Sequence, residues 1–255
     1  MLVLVLDIET TGFSRRRHEI TVIGTIVYDA AARAERARRC FNVFCAEQTR
    51  SRDAVAAMKR DVAALLDRCD AVVAFNGLQF DLPWIRHWLR GAADPAAGGA
   101  ADARWAHKTR DFCALARQCT GRAPSLQAAC ALNGIAGAKS ASGGAAVAWA
   151  AARAWPQLEA YCMQDVCALL RLTQHALARG LTCSNVGPGD ARHALDTVCV
   201  RLRPDLTAAT LATASLVFDL GEGGEGAPAR PWEPEASSAA APGARALSRA
   251  PVARI

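Results

Sequence analysis

The first apolar run of the chain, Leu2-Val3-Leu4-Val5-Leu6, is unbroken and stops at two carboxylates, Asp7 and Glu9. An uninterrupted stretch of this length suits a strand buried on both faces. Similar runs at about 20–28 and 39–46 predict two more strands, and with a turn in the Tyr28-Asp29-Ala30 region the three form a meander. The period then changes: Val55, Met58, Val62, Leu65 and Leu66 fall on one face of a helix over about 53–68. A strand at 71–75, a helix opening after Asp81, a Gly/Ala/Asp-rich loop from Gly91 to Ala103 and a strand near 108–111 running into a helix come next. A short helix from Ser125 and a long helix to about 178 complete the series. The order β-β-β-α-β-α-β-α predicts an α/β fold: a mixed five-stranded sheet, an antiparallel meander plus parallel strands, flanked by helices.

Around Leu181 the pattern breaks. Gly187-Pro188-Gly189 marks a loop, and residues 190–219 hold an apolar segment, Ala208 to Phe218, whose type the pattern leaves open and which is expected to pack on the domain. From Gly221 onward the chain is almost entirely Gly, Pro, Ala, Ser, Glu and Arg, with one aromatic, Trp232. Such a composition buries too little apolar surface to offset ordering, so 220–255 is expected to be a disordered tail. The expected division is 1–180, 181–219 and 220–255.

Chemistry enters where charge interrupts these patterns. Strand side chains repeat every second residue, so Asp7 and Glu9 point to the same face. At about 4 Å and an effective dielectric near 20, two such charges repel by roughly 4 kcal/mol, which favours protonating one or binding a divalent cation. The hexapeptide Asp7-Ile8-Glu9-Thr10-Thr11-Gly12 alone leaves open a strand that simply ends in two solvated acids. Asp81 stands at a helix start in Asn76-Gly77-Leu78-Gln79-Phe80-Asp81-Leu82-Pro83. N-capping alone would account for it, and capping is compatible with ligation. Leu158, Tyr161, Cys162, Asp165, Leu169 and Leu172 share one helical stripe, so Asp165 faces a core, at a cost unless something compensates it. Tyr161, one turn earlier, can project toward the same point; a packed ring with its hydroxyl at the rim is the ordinary alternative.

Asp7 and Glu9 in the first segment, Asp81 in the second, and Tyr161 with Asp165 in Tyr161-Cys162-Met163-Gln164-Asp165 resemble, in order and spacing, the three exonuclease motifs of the DEDD superfamily. The resemblance implies a ribonuclease H-like fold, with the first strand central, and 3′-to-5′ exonuclease activity of the kind found in polymerase proofreading domains. A Tyr four residues before the last Asp is similar to the tyrosine subclass, and no His lies between Trp149 and Gln174 to make the histidine version. The stretch from Lys139 through Ser142-Gly143-Gly144 to Asp165 resembles stand-alone and viral exonucleases related to the proofreading domain of family B polymerases. The similarity covers roughly residues 1–180.

The resemblance implies two divalent ions, held about 4 Å apart by Asp7, Glu9, Asp81 and Asp165, that clamp an in-line phosphoryl displacement. Asp7 would bridge both ions, Glu9 and Asp165 would complete one site, and Asp81 would act mainly through water on the second. Tyr161 would orient the attacking water. Mg²⁺, or Mn²⁺, is expected, because an all-oxygen ligand set without His or Cys argues against zinc. The same resemblance places Thr10, Thr11, Asn76, Phe80 and Lys139 against the substrate, expected to be single-stranded 3′ ends of DNA, with a polymerase or repair factor as a further partner. An exoribonuclease of the same fold, or a catalytically silent nucleic-acid-binding module, are the alternatives; silence predicts loss of an acid, and none is lost.

Composition adds modest constraints. The 52% apolar content is ample for a core, although much of it is alanine, and of 30 basic residues only Lys59, Lys108 and Lys139 are lysine. That bias discounts Ala- and Arg-rich segments as signals. A net charge of +6 suits a polyanionic partner only where the positive charge is segregated from the acids. Arg15-Arg16-Arg17-His18 fits a phosphate-contacting loop and equally a solvated turn. The 10 cysteines contain no Cys-x-x-Cys, and Cys69, Cys130 and Cys162 fall at apolar positions, so reduced buried thiols are expected. No signal peptide or membrane span is evident, so a soluble intracellular protein of cytoplasm or nucleus, or a viral one, is expected.

Overall fold

A five-stranded sheet in the order β3-β2-β1-β4-β5 carries the molecule, built from β1 (Leu2–Thr10), β2 (Ile20–Asp29), β3 (Ala34–Asn42), β4 (Ala71–Ala74) and β5 (Thr109–Asp111). The computed structural model describes residues 1–49, 51–90, 105–136, 143–184, 199–203 and 215–218. β1 to β3 form the antiparallel meander, and β4 and β5 join β1 in parallel, with β1 central as expected.

The unbroken apolar runs of β1 and β2 follow from burial on both faces. Val3 and Val5 look toward α7 (Trp155–Arg179), α4 (Phe112–Thr120) and α5 (Leu126–Leu132). Leu4, Leu6 and Ile8 look the other way, onto Met58, Val62, Leu65 and Leu66 of α2 (Arg52–Arg68) and Leu82, Trp84, Ile85 and Trp88 of α3 (Asp81–Arg90). Alternation therefore aims Asp7 and Glu9 at α7. The α2 face is the one its periodicity predicts, and Ser51 caps it by accepting from the Ala54 N–H at 3.3 Å.

One expectation is corrected and one segment is added. The third strand is Ala34–Asn42, and residues 43–49 form a helix, α1 (Val43–Thr49), where the pattern predicts strand to 46. Asn42 decides this: its Oδ1 accepts from the Cys45 N–H at 2.9 Å, starting a helix inside the apolar run. Residues 34–39 look unlike a strand because β3 is an edge, held by its ladder to β2 while its arginines face water. The chain also continues regularly past Leu181. Leu181–Ser184 is a strand, β6, with Leu181 and Cys183 buried against α4, α5 and α7, and it pairs with β7 (Cys199–Arg203), which pairs with β8 (Ser215–Phe218). Asn133 ties β6 down, accepting from the Thr182 N–H at 2.8 Å and donating to its carbonyl at 2.9 Å.

A further helix absent from the sequence reading, α6 (Gly143–Ala151), precedes α7. The expected tail 220–255, the loop 91–103 and Lys139 lie outside the described residues. Cys69, Cys130 and Cys162 are buried free thiols, and among the described residues no helix is long and apolar enough to cross a membrane.

Candidate active site

Asp7 and Glu9 leave the core on the α7 side of β1, where α7 brings Asp165 to meet them. One carboxylate oxygen from each lies within 4.8 Å of the others; Asp165 is buried and the other two are half-buried. The approach is close because β2 carries Gly24 directly opposite Asp7. A Cβ there would stand 2.8 Å from Val166 Cγ2 and 2.9 Å from Cys162 Sγ, so the helix seats on bare backbone. The Cys162 thiol is 3.5 Å from the Asp7 carbonyl and 3.9 Å from its Oδ2, within reach as a weak donor. Burial, reinforced by the charges of Asp7 and Glu9, pushes that thiol well up and keeps it protonated.

Asp81 is not a member of this trio. β4 pairs only with residues 3–5 of β1 and ends at Ala74, so the Ile8 N–H on that edge has no strand to bond; Asp81 Oδ1 accepts it at 3.1 Å. Asp81 thus sits across one peptide from Asp7 and Glu9, buried at the first turn of α3. Burial pushes its carboxyl up to about 7, with Asp111 adding in the same direction and the Ile8 hydrogen bond opposing.

The segment between β4 and α3 is set by Asp111, which the sequence reading passes over. Asp111 ends β5 and caps α4, and its carboxylate accepts from the N–H groups of Asn76 (2.8 Å), Leu78 (3.0 Å) and Ala114 (3.0 Å). Asn76 takes a left-handed φ of 67°, and its carbonyl accepts from the Phe80 N–H at 2.9 Å; a Cβ on Gly77 would overlap the side chain of Ala74. An Asp closing a buried strand, like Asp7, was the available signal.

Tyr161 lies one turn before Asp165 on the buried side of α7, its ring edge-on to Trp149 with centroids 5.6 Å apart. Thr10 Oγ1 donates to the Gly12 carbonyl at 2.8 Å, and Thr11 Oγ1 accepts from the Glu19 N–H at 3.0 Å, so both hydroxyls shape the turn after β1. Phe80 lies between Trp84 and Phe13, with centroids 5.8 and 6.4 Å away. Phe13, also passed over in sequence, is 87% exposed. The donor set of the trio is oxygen alone, which fits a hard divalent cation such as Mg²⁺ or Mn²⁺.

Among solved structures, the chain is similar to Escherichia coli exonuclease I in complex with a dT13 oligonucleotide, at 15% identity and a TM-score of 0.44 over 70% of this chain and 41% of that one. It is similar also to the zinc-bound E. coli exonuclease I–ssDNA complex, at 16% identity and a TM-score of 0.41 over the same shares. A further exonuclease I structure shows 14% identity and a TM-score of 0.44 over 87% of this chain and 56% of that one. The chain thus spans less than two thirds of the length of these proteins. No curated protein sequence matches it. A family model of the RNase H superfamily matches residues 4–177, and the chain belongs to that superfamily.

Proposed function

We propose that the chain is a divalent-metal-dependent 3′-to-5′ exonuclease of the tyrosine DEDD type, acting on single-stranded 3′ ends of DNA. The observation that carries this reading is the carboxylate trio, in which two acids on the central strand and one on a distant helix place oxygens within 4.8 Å of one another. Three negative charges so placed are unfavourable in a bare fold and suited to a cation. Asp7, Glu9 and Asp165 would hold one ion and Asp7 with Asp81 the second. When bound, such ions stabilise charge on the attacking and leaving oxygens of a phosphodiester in line. The chain's own groups do the positioning. Tyr161 orients the attacking water from one turn before Asp165. Phe80 and Phe13 offer aromatic faces to the terminal base, and the Asn76 region and the backbone of the Thr10-Thr11 turn border the sugar and phosphate. A polymerase or repair factor would be the natural partner of such an enzyme.

Incubation with Mg²⁺ or Mn²⁺ and 5′-labelled DNA and RNA oligonucleotides tests this reading. A DNA ladder shortening from the 3′ end is expected, with Asp7→Asn lowering the rate by about three orders of magnitude. Undiminished cleavage by a pure Asp7→Asn preparation would remove the site assignment. Faster shortening of RNA would identify an exoribonuclease, and binding without cleavage a silent module.

A further inference from the structure

The turn between β1 and β2 is braced at every level. At its base the Thr11 N–H donates to the Glu19 carbonyl and the Glu19 N–H to Thr11 Oγ1, each at 3.0 Å. At its tip the N–H groups of Arg17 and His18 both donate to the Ser14 carbonyl at 2.9 Å. Between them the His18 ring lies so close over Gly12 that a Cβ there would stand 2.7 Å from Nε2. An ordered backbone therefore presents Arg15, Arg16 and Arg17, all exposed, in sequence.

These guanidiniums differ from the exposed arginines of β3, which lie toward the opposite end of β2. On β3, Arg36, Arg38 and Arg39 each pair with a carboxylate, of Asp29, Glu35 and Asp61, at 2.8, 2.9 and 3.1 Å. Among the described residues, Arg15, Arg16 and Arg17 make no ion pair and no side-chain hydrogen bond. Three adjacent positive charges without a paired carboxylate repel one another, by roughly 1 kcal/mol even in water for any two that come within about 4 Å, so the run favours a polyanion. The location suits one. Phe13 stands edge-on to Phe80, the residue before Asp81, and Arg15 is six residues beyond Glu9, a span of at most about 20 Å. The trio itself repels phosphates, so a strand entering it needs separate positive charge alongside.

We propose that Arg15, Arg16 and Arg17 grip the phosphates of the substrate strand away from its reacting end, making the β1–β2 loop an electrostatic guide into the carboxylate site. The identity of the strand as substrate rests on the exonuclease reading; the affinity for a nucleic-acid backbone does not.

The test uses the full chain and its Arg15→Gln/Arg16→Gln/Arg17→Gln variant. Binding of a fluorescein-labelled oligothymidylate is followed by anisotropy in Ca²⁺ across a salt series. The slope of log affinity against log salt should shrink by about 2, three contacts at about 0.7 each for single strands. The triple Lys variant should keep the slope, because counterion release needs charge rather than guanidinium geometry, and Arg16→Gln alone should lose about a third of the effect. Hydrolysis of the p-nitrophenyl ester of thymidine 5′-monophosphate, too short to reach the loop, should be unchanged within about twofold. An unchanged slope overturns the proposal. So does equal loss on the short ester, loss in the Lys variant, or wild-type binding to phosphatidylserine vesicles and not to the oligonucleotide. If the wild type binds oligonucleotide through this loop but cleaves neither substrate, the exonuclease reading fails and this one stands.

Discussion

Burial holds the Asp81 carboxyl at about 7, against an ordinary value of 3.8, so the folded chain keeps a proton there that the unfolded chain releases. The sign follows from linkage: between those values the folded state binds more protons, so this stabilisation is complete below about pH 4 and is lost as pH rises through about 7. In chelator, the unfolding free energy of the wild type should fall across that window relative to Asp81→Asn, which keeps an acceptor for Ile8. Denaturant titrations at several pH values measure this, and parallel curves would refute it. Asp29 runs the other way: hydrogen bonding to Arg36 holds it at about 2, so its contribution is lost only as pH falls through about 2. At Tyr161 the ring packs on Trp149, so Tyr161→Phe keeps the fold and removes only the hydroxyl. The expected result is a 10- to 100-fold fall in kcat, about 1.4 to 2.7 kcal/mol, with Mn²⁺ affinity nearly constant. Equal losses in rate and affinity would argue against a water-orienting role. These acids were legible in the sequence because each breaks a local pattern, at a strand end or inside an apolar stripe. Asp111 carries the same strand-end signal after only three strand residues, and Phe13 breaks no pattern; the importance of both comes from where other segments arrive.

Where α7 crosses β2, the two elements meet at Gly24 with no clearance, and the register that places Gly24 opposite Asp7 couples this seat to the carboxylates. Gly24→Ala would push the helix off by a few tenths of an ångström or more, widening the gap between Asp165 and β1. Overpacking of this kind costs about 1–3 kcal/mol of stability, and Mn²⁺ affinity should weaken about tenfold. Trimming one of the two opposing side chains, in Gly24→Ala/Val166→Ala, should recover part of the affinity, because Cys162 Sγ would still stand 2.9 Å from the added Cβ. Electron paramagnetic resonance of bound Mn²⁺ reads both; stability loss with unaltered affinity would show that the seat does not set the site. Element type was legible for β1, β2, α2 and α7, whose apolar periods are set by burial on two faces or one. For β3 the type was legible and the start was not, because pairing rather than side chains makes 34–38 a strand, and 43–46 was misread, where one capping Asn outweighs an apolar run. β6 was hidden because four residues carry too short a pattern, and Asn133 supplies part of its bonding from outside the strand.

For the whole molecule, the trio joins the first strand to a helix that begins 146 residues after Glu9 by number, from Trp155, and so links early and late parts of the superfamily fold through one charge cluster. A cation bound there is held by the folded chain and not by the unfolded one, where those carboxylates are far apart. It should therefore stabilise the whole cooperative unit by mass action, by about 2.7 kcal/mol when free metal is 100 times its dissociation constant. For a unit of this size each kcal/mol is worth about 2–4 °C, so Mn²⁺ should raise Tm by about 5–10 °C. Asp7→Asn, with one charge fewer to repel Glu9 and Asp165, should melt no lower than the wild type in chelator and gain little from Mn²⁺. An equal metal-induced rise in both proteins would place the cation elsewhere, and a rise in neither would leave three carboxylates within 4.8 Å without the ion that their clustering calls for.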